Sequence, residues 1–144
     1  TKIPTGGWWP LQPGTVEGLI VGGNLCTLNL LQGTRWMPSL TDAILMLEDD
    51  EISNPTEFRR DLNSLMQQPD ADTIRGLVIG RFQQASEMGR EDLLAVLDTI
   101  PSLRGKPVLA NVDFGHTNPL ITFPIGGEVR FTAAPTPSLT VVAH

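Results

Sequence analysis

Four short apolar runs, each breaking off in glycine or in charge, dictate what this chain can fold into. They are "TVEGLIVG" (15–22), "DAILMLEDD" (42–50), "TIRGLVIGRF" (73–82) and "KPVLANVDFG" (106–115). Their richness in Val, Ile and Leu predicts buried strands. Between them lie segments with helical signals. In "SNPTEFRRDLNSLMQQPD" (53–70), Asn54 can cap, Pro55 suits the first helical position, and Glu57 stands three after the cap. Phe58, Leu62, Leu65 and Met66 then form one apolar face. "GREDLLAVLDTI" (89–100) predicts a second helix with Leu93, Leu94 and Leu97 inward. "GGNLCTLNLLQG" (22–33) predicts a third, capped by Asn24 and stopped by Gly33. Strands alternating with helices call for a parallel sheet.

The pattern changes near residue 117. "NPLITFPIGGEVRFTAAPTPSLTVVA" has no helical period, but has alternating runs, a Gly126–Gly127 turn and proline punctuation. It reads as an antiparallel hairpin plus a last strand. At the other end, residues 1–14 are rich in Pro and Gly and carry Trp8 and Trp9. They are expected to be a linker or lead-in, with the tandem tryptophans packed on this domain or on a neighbouring one. Residues 15–144 make one domain of ordinary size, and 40% hydrophobic content is enough for a core.

A net charge of −6 and a pI near 4.7, with no basic cluster larger than Arg59–Arg60, argue against a nucleic-acid or anionic-membrane partner. No apolar stretch is long enough to span a membrane. The single cysteine, Cys26, excludes an internal disulfide and points to a reducing, cytoplasmic setting. It lies within an apolar helix and is expected to be buried and inert. The first residue is not Met, which suits a piece of a longer protein or a processed chain.

Polar residues gather where the strands end, and in a parallel sheet the carboxyl ends of strands are where ligands bind. One end carries Glu48, Asp49, Asp50 and Glu51, another Asp113 and His116, and a third the turn Gly22–Gly23–Asn24. An acid beside a histidine can fix its tautomer and stabilise the imidazolium, which is the functional reading of Glu48 with His116. A hydrogen-bonded structural histidine remains open. The acidic run is either a solvated turn or a hard-cation site, although no metal-ligand spacing supports a metal. The glycine turn has neither G-x-G-x-x-G nor a Walker lysine, so a tight strand-to-helix turn explains it. Ser39, Ser53, Ser64, Ser86, Ser102 and Ser138 include no G-x-S-x-G elbow, so an acid–histidine pair here has no nucleophile within the chain.

In order along the chain, "EGLIVGGNLCTLNLLQGT" (17–34), "ILMLEDDE" (44–51), "FRRDLNSL" (58–65), "IRGLVIGRF" (74–82) and "PVLANVDFGHTNPLITFPIGGEV" (107–129) resemble the C-terminal domain of the LD-carboxypeptidase family of serine peptidases, which includes the microcin C self-immunity peptidases. The resemblance implies an α/β swivelling β/β/α-type domain, with a parallel sheet, a C-terminal antiparallel sheet and about three helices. It implies a Ser–His–Glu triad whose glutamate is Glu48 and whose histidine is His116, the serine residing on an N-terminal nucleophile domain absent from this chain. It further implies amide hydrolysis of a small peptide or peptide–nucleotide, no cofactor, and a full-length protein that forms homodimers. The alternative is a non-catalytic interaction domain that retains the fold.

Overall fold

A computed structural model of the chain describes residues 6–144; residues 1–5, the start of the expected linker, lie outside the described residues. Seven strands form one sheet in the order β1-β5-β4-β3-β2-β6-β7. They are β1 (Trp9–Gln12), β2 (Gly14–Asn24), β3 (Ala43–Glu48), β4 (Gly76–Arg81), β5 (Val108–Gly115), β6 (Glu128–Ala133) and β7 (Ser138–Ala143). The four predicted runs become β2, β3, β4 and β5, and these are the parallel strands. Residues 43–47 of β3 and 76–80 of β4 are buried without interruption. This is the pattern expected of strands covered on both faces.

The expected parallel and C-terminal antiparallel parts are both present, joined in one continuous seven-stranded sheet. β2 is long enough to serve both parts. Its residues Gly14–Leu19 pair antiparallel with β6, and Leu19–Asn24 pair parallel with β3. The tail supplies two strands rather than three: β6 and β7 form a hairpin, while residues 116–127 contain no strand. Gly126 and Gly127 do not turn one tail strand into the next. Their amide and carbonyl groups bond to Ile20 on β2 and lead the chain into β6. Within the segment expected as a linker, Trp9–Gln12 add β1 to the far edge, antiparallel to β5.

Three α-helices cover one face: α1 (Leu25–Asn29), α2 (Pro55–Leu65) and α3 (Arg90–Asp98). The predicted caps are present. Asn24 accepts the amide of Thr27, and Asn54 accepts the amide of Glu57, each at 2.9 Å. α1 starts after the Asn24 cap as predicted but ends at Asn29 rather than just before Gly33, because the chain beyond Asn29 proceeds by turns. On α3 the inward residues are Leu93, Val96 and Leu97; Leu94 is only half-buried. Phe58, Leu62 and Leu65 of α2 enter the same core as Leu45, Leu47, Leu77 and Ile79.

The opposite face closes on itself. The sheet curls until β6 lies near β1 and β5. Ile44, Met46, Val78 and Leu109 then pack against Val129 and Phe131, with Trp8 and Phe123 at the margin. Gly76 permits the curl: a Cβ there would stand 2.8 Å from the Phe131 ring and 2.9 Å from Val16. Gly76→Ala is therefore expected to destabilise the domain by about 1–3 kcal/mol through overpacking. A denaturant midpoint equal to wild type would show that the curled face tolerates expansion.

Candidate functional site

Parallel pairing sets three strand ends side by side. In register, Glu48 at the end of β3 falls next to Gly80 of β4, and beyond it lies the end of β5, followed by His116. Glu48 therefore has to reach past β4 to meet the histidine. Gly80 leaves the path open, since a Cβ there would lie 2.5 Å from the Phe114 carbonyl and 3.0 Å from the Glu48 Cβ. Gly115 clears the other side, with φ at +109° and its hypothetical Cβ 3.2 Å from the Glu48 carboxylate. Through this gap His116 Nδ1 and Glu48 Oε2 approach to 2.7 Å. The glutamate side chain is 14% exposed and the histidine 46%.

When Nδ1 carries the ring hydrogen it donates to the Glu48 carboxylate, and the lone pair of Nε2 is then available as an acceptor. Among the described residues, Glu48 is the hydrogen-bond partner of the His116 ring, and no serine hydroxyl is hydrogen-bonded to it. An open groove of about 450 Å3 adjoins the pair, lined by Gly23, Glu48, Phe114, Gly115, Leu120 and Ile125. Leu120 and Ile125 are both exposed.

The four acids at the end of β3 do not converge. Glu48 turns to the histidine. Asp49 is 2% exposed and accepts from the Asn24 side chain at 3.3 Å and from the Asp50 amide at 3.0 Å. Asp50 accepts the Ile52 amide in a tight turn, and Glu51 is exposed. Among the described residues, no group of three or more His, Cys, Asp or Glu side chains is arranged to hold a metal. Asn24 therefore has two structural duties: it caps α1 and tethers Asp49.

Cys26 overturns its expectation. It lies on α1 as predicted, but it is exposed. Its thiol is nonetheless pushed up, first by residual desolvation and then by the carboxylates of Asp49, Asp61 and Asp50, so the reactive thiolate is disfavoured. No described helix is long and apolar enough to cross a membrane.

Sequence reasoning missed Arg81. It ends β4, between the two strands that carry the acid and the histidine, and its side chain is 10% exposed and ion-paired to Asp113. The one available signal was a lone cation closing an apolar run, "LVIGRF", beside a run that ends in aspartate.

Residues 17–131 match the family model described as the LD-carboxypeptidase C-terminal domain. This chain belongs to the LD-carboxypeptidase family. YocD of Bacillus subtilis, named as a carboxypeptidase, is 45% identical over 130 residues, which cover 90% of this chain and 40% of YocD. The microcin C7 self-immunity protein MccF of Escherichia coli is 32% identical over 120 residues, covering 78% of this chain and 33% of MccF. The crystal structure of an MccF-like protein from Bacillus anthracis superposes with a TM-score of 0.94 at 41% identity, over 99% of this chain and 44% of that one. The LD-carboxypeptidase domain in this chain thus spans well under half the length of these relatives.

Two outcomes follow for this LD-carboxypeptidase domain. Gly80→Ala is expected to lower stability by about 1–3 kcal/mol and to push Glu48 away from His116. A thermal melt paired with a crystal structure checks both, and an intact 2.7 Å contact would refute the spacer role of Gly80. The second outcome concerns Asp49. Burial raises its carboxyl above the usual aspartate range; the Asp50 amide and the nearby Ser53 hydroxyl pull the other way, and Asp50 and Asp61 add repulsion. One of its oxygens, Oδ2, has no hydrogen-bond partner among the described residues. As pH rises from about 3.9, the unfolded chain releases this proton before the native one does, so the group removes stability across that window. Asp49→Asn cancels the titration. Relative to wild type, the variant is expected to gain stability between that pH and neutrality; parallel pH–stability curves would contradict the assignment.

Proposed function

We propose that this domain is the C-terminal catalytic half of a serine peptidase, with His116 as general base and Glu48 as its orienting acid. The observation that carries this reading is the 2.7 Å contact between His116 Nδ1 and Glu48 Oε2, made across the end of β4 from the ends of β5 and β3. In a longer protein, an N-terminal domain supplies the serine, and the groove beside the pair receives that half together with the substrate. His116 Nε2 takes the serine proton as the hydroxyl attacks an amide carbonyl, then passes it to the leaving amine. Glu48 holds the ring and offsets the charge that forms on it. Backbone N–H groups of the nucleophile elbow stabilise the oxyanion.

The substrate class is a small peptide or a peptide–nucleotide. In the first case the bond joins an L-centre to a terminal D-amino acid, as in cell-wall peptide recycling. In the second it joins an acidic residue to a nucleotide-like group, as in microcin immunity. The reaction belongs to the cytoplasm and to a full-length protein that forms homodimers, and the domain by itself is inactive.

The test uses the full-length protein on both substrate classes. His116→Ala and Glu48→Ala are each expected to lower kcat by about 1,000-fold or more. The double variant is expected to be little worse than His116→Ala, because triad members act as a unit. Near-normal turnover in either single variant would sink the triad reading and favour a non-catalytic interaction domain.

A further inference from the structure

His116 is nearly half exposed and, among the described residues, its ring has a single side-chain hydrogen-bond partner, so packing alone does not hold it. Its loop, however, is fastened from several directions, and the fastenings meet at Asp113. One oxygen of Asp113 pairs with the Arg81 guanidinium. The other accepts the indole N–H of Trp8 at 3.1 Å. The same guanidinium reaches the Asn111 carbonyl at 3.3 Å and the hydroxyl of Thr117, the residue after His116, at 3.5 Å. The Asp113 carbonyl accepts the amide of Ile121 at 2.7 Å, drawing the returning arm of the loop onto β5. Phe114 meets Phe123 edge to face, with ring centroids 5.1 Å apart.

A partly buried ion pair of this kind contributes little net stability compared with apolar packing, because desolvation consumes much of its Coulombic gain. Its directional bonds do fix geometry. We propose that Asp113 is a positioning residue: clamped between Arg81 and the Trp8 indole, it couples the N-terminal segment to the loop of His116 and keeps the imidazole N–H on Glu48. The proposal rests on the reading of His116 as a base, since that role requires hydrogen on Nδ1 and a free lone pair on Nε2. It extends that reading to Trp8, whose strand neighbour Trp9 begins β1. The segment leading into the domain would then act on the histidine through a three-residue relay.

Ring-nitrogen NMR on the labelled chain tests this directly. The chain has two histidines, and removing His144 assigns the signals. At a pH where the ring is neutral, the wild-type spectrum is expected to show the Nδ1–H tautomer of His116. Glu48→Ala should revert it to the Nε2–H form that imidazole favours in water. Asp113→Asn is expected to shift most of the population the same way, and Trp8→Phe, which removes only the indole N–H, to shift it partly. If Asp113→Asn does not fold, Trp8→Phe decides. Wild-type tautomer ratios in the folded variants would overturn the positioning role, and so would a wild-type ring that shows no Nδ1–H preference. In the full-length protein, Asp113→Asn should lower kcat by about 10- to 100-fold with KM unchanged. Should His116→Ala leave turnover intact, the peptidase reading fails, while the tautomer measurement still judges the clamp.

Discussion

The parallel ladder of β3, β4 and β5 is the constraint on which the rest depends. Strands buried on both faces cannot carry charge along their length, so ionisable side chains gather toward their ends. Parallel pairing brings those ends to the same side of the sheet. Glu48 and His116, far apart in sequence, therefore come within one hydrogen bond without any loop having to fold over. The cost is that β4 stands between them. Gly80 and Gly115 remove the side chains that would have filled the gap, which is why the carboxylate and the imidazole meet across a strand rather than along one. These two glycines have as much to do with the contact as the residues that make it.

The same strand ends hold charge in two ways. Asp113 is neutralised by Arg81 and satisfied by Trp8. Asp49, equally close to the sheet, has amide and carboxamide donors but no cation, and burial raises its pKa. Removing one partner of a buried ion pair leaves an uncompensated charge, whereas replacing a lone buried carboxylate with its amide removes one. The two aspartates are thus opposite in character, although both would pass in the sequence as acids at the end of an apolar run.

Legibility in the sequence followed the range of the interaction. The four buried strands and the Asn24 and Asn54 caps are decided by residues a few positions apart, and they are readable. The strand ends of Glu48 and His116 were readable too, because topology converts strand ends into neighbours. Long-range choices were not. Whether β6 and β7 form a second sheet or extend the first depends on the antiparallel pairing of Gly14–Leu19 with β6, more than a hundred residues away. Whether Trp9–Gln12 are a linker or an edge strand depends on the free side of β5. Cys26 was expected buried and is exposed, because the five-residue α1 turns Leu25 and Leu28, not Cys26, into the core.

The exposure of the two central side chains is itself informative. Glu48 is held at 14% exposure, where its attraction to a charged ring is screened less than it would be at the surface, while His116 at 46% remains within reach of a second molecule or domain. A purely structural histidine has no need of that division, since burying both partners would satisfy the bond equally well. The general-base role proposed for His116 uses both halves of it: one nitrogen held by the carboxylate and the other free to take a proton. The curled sheet supplies this division because its end, rather than its face, carries the pair.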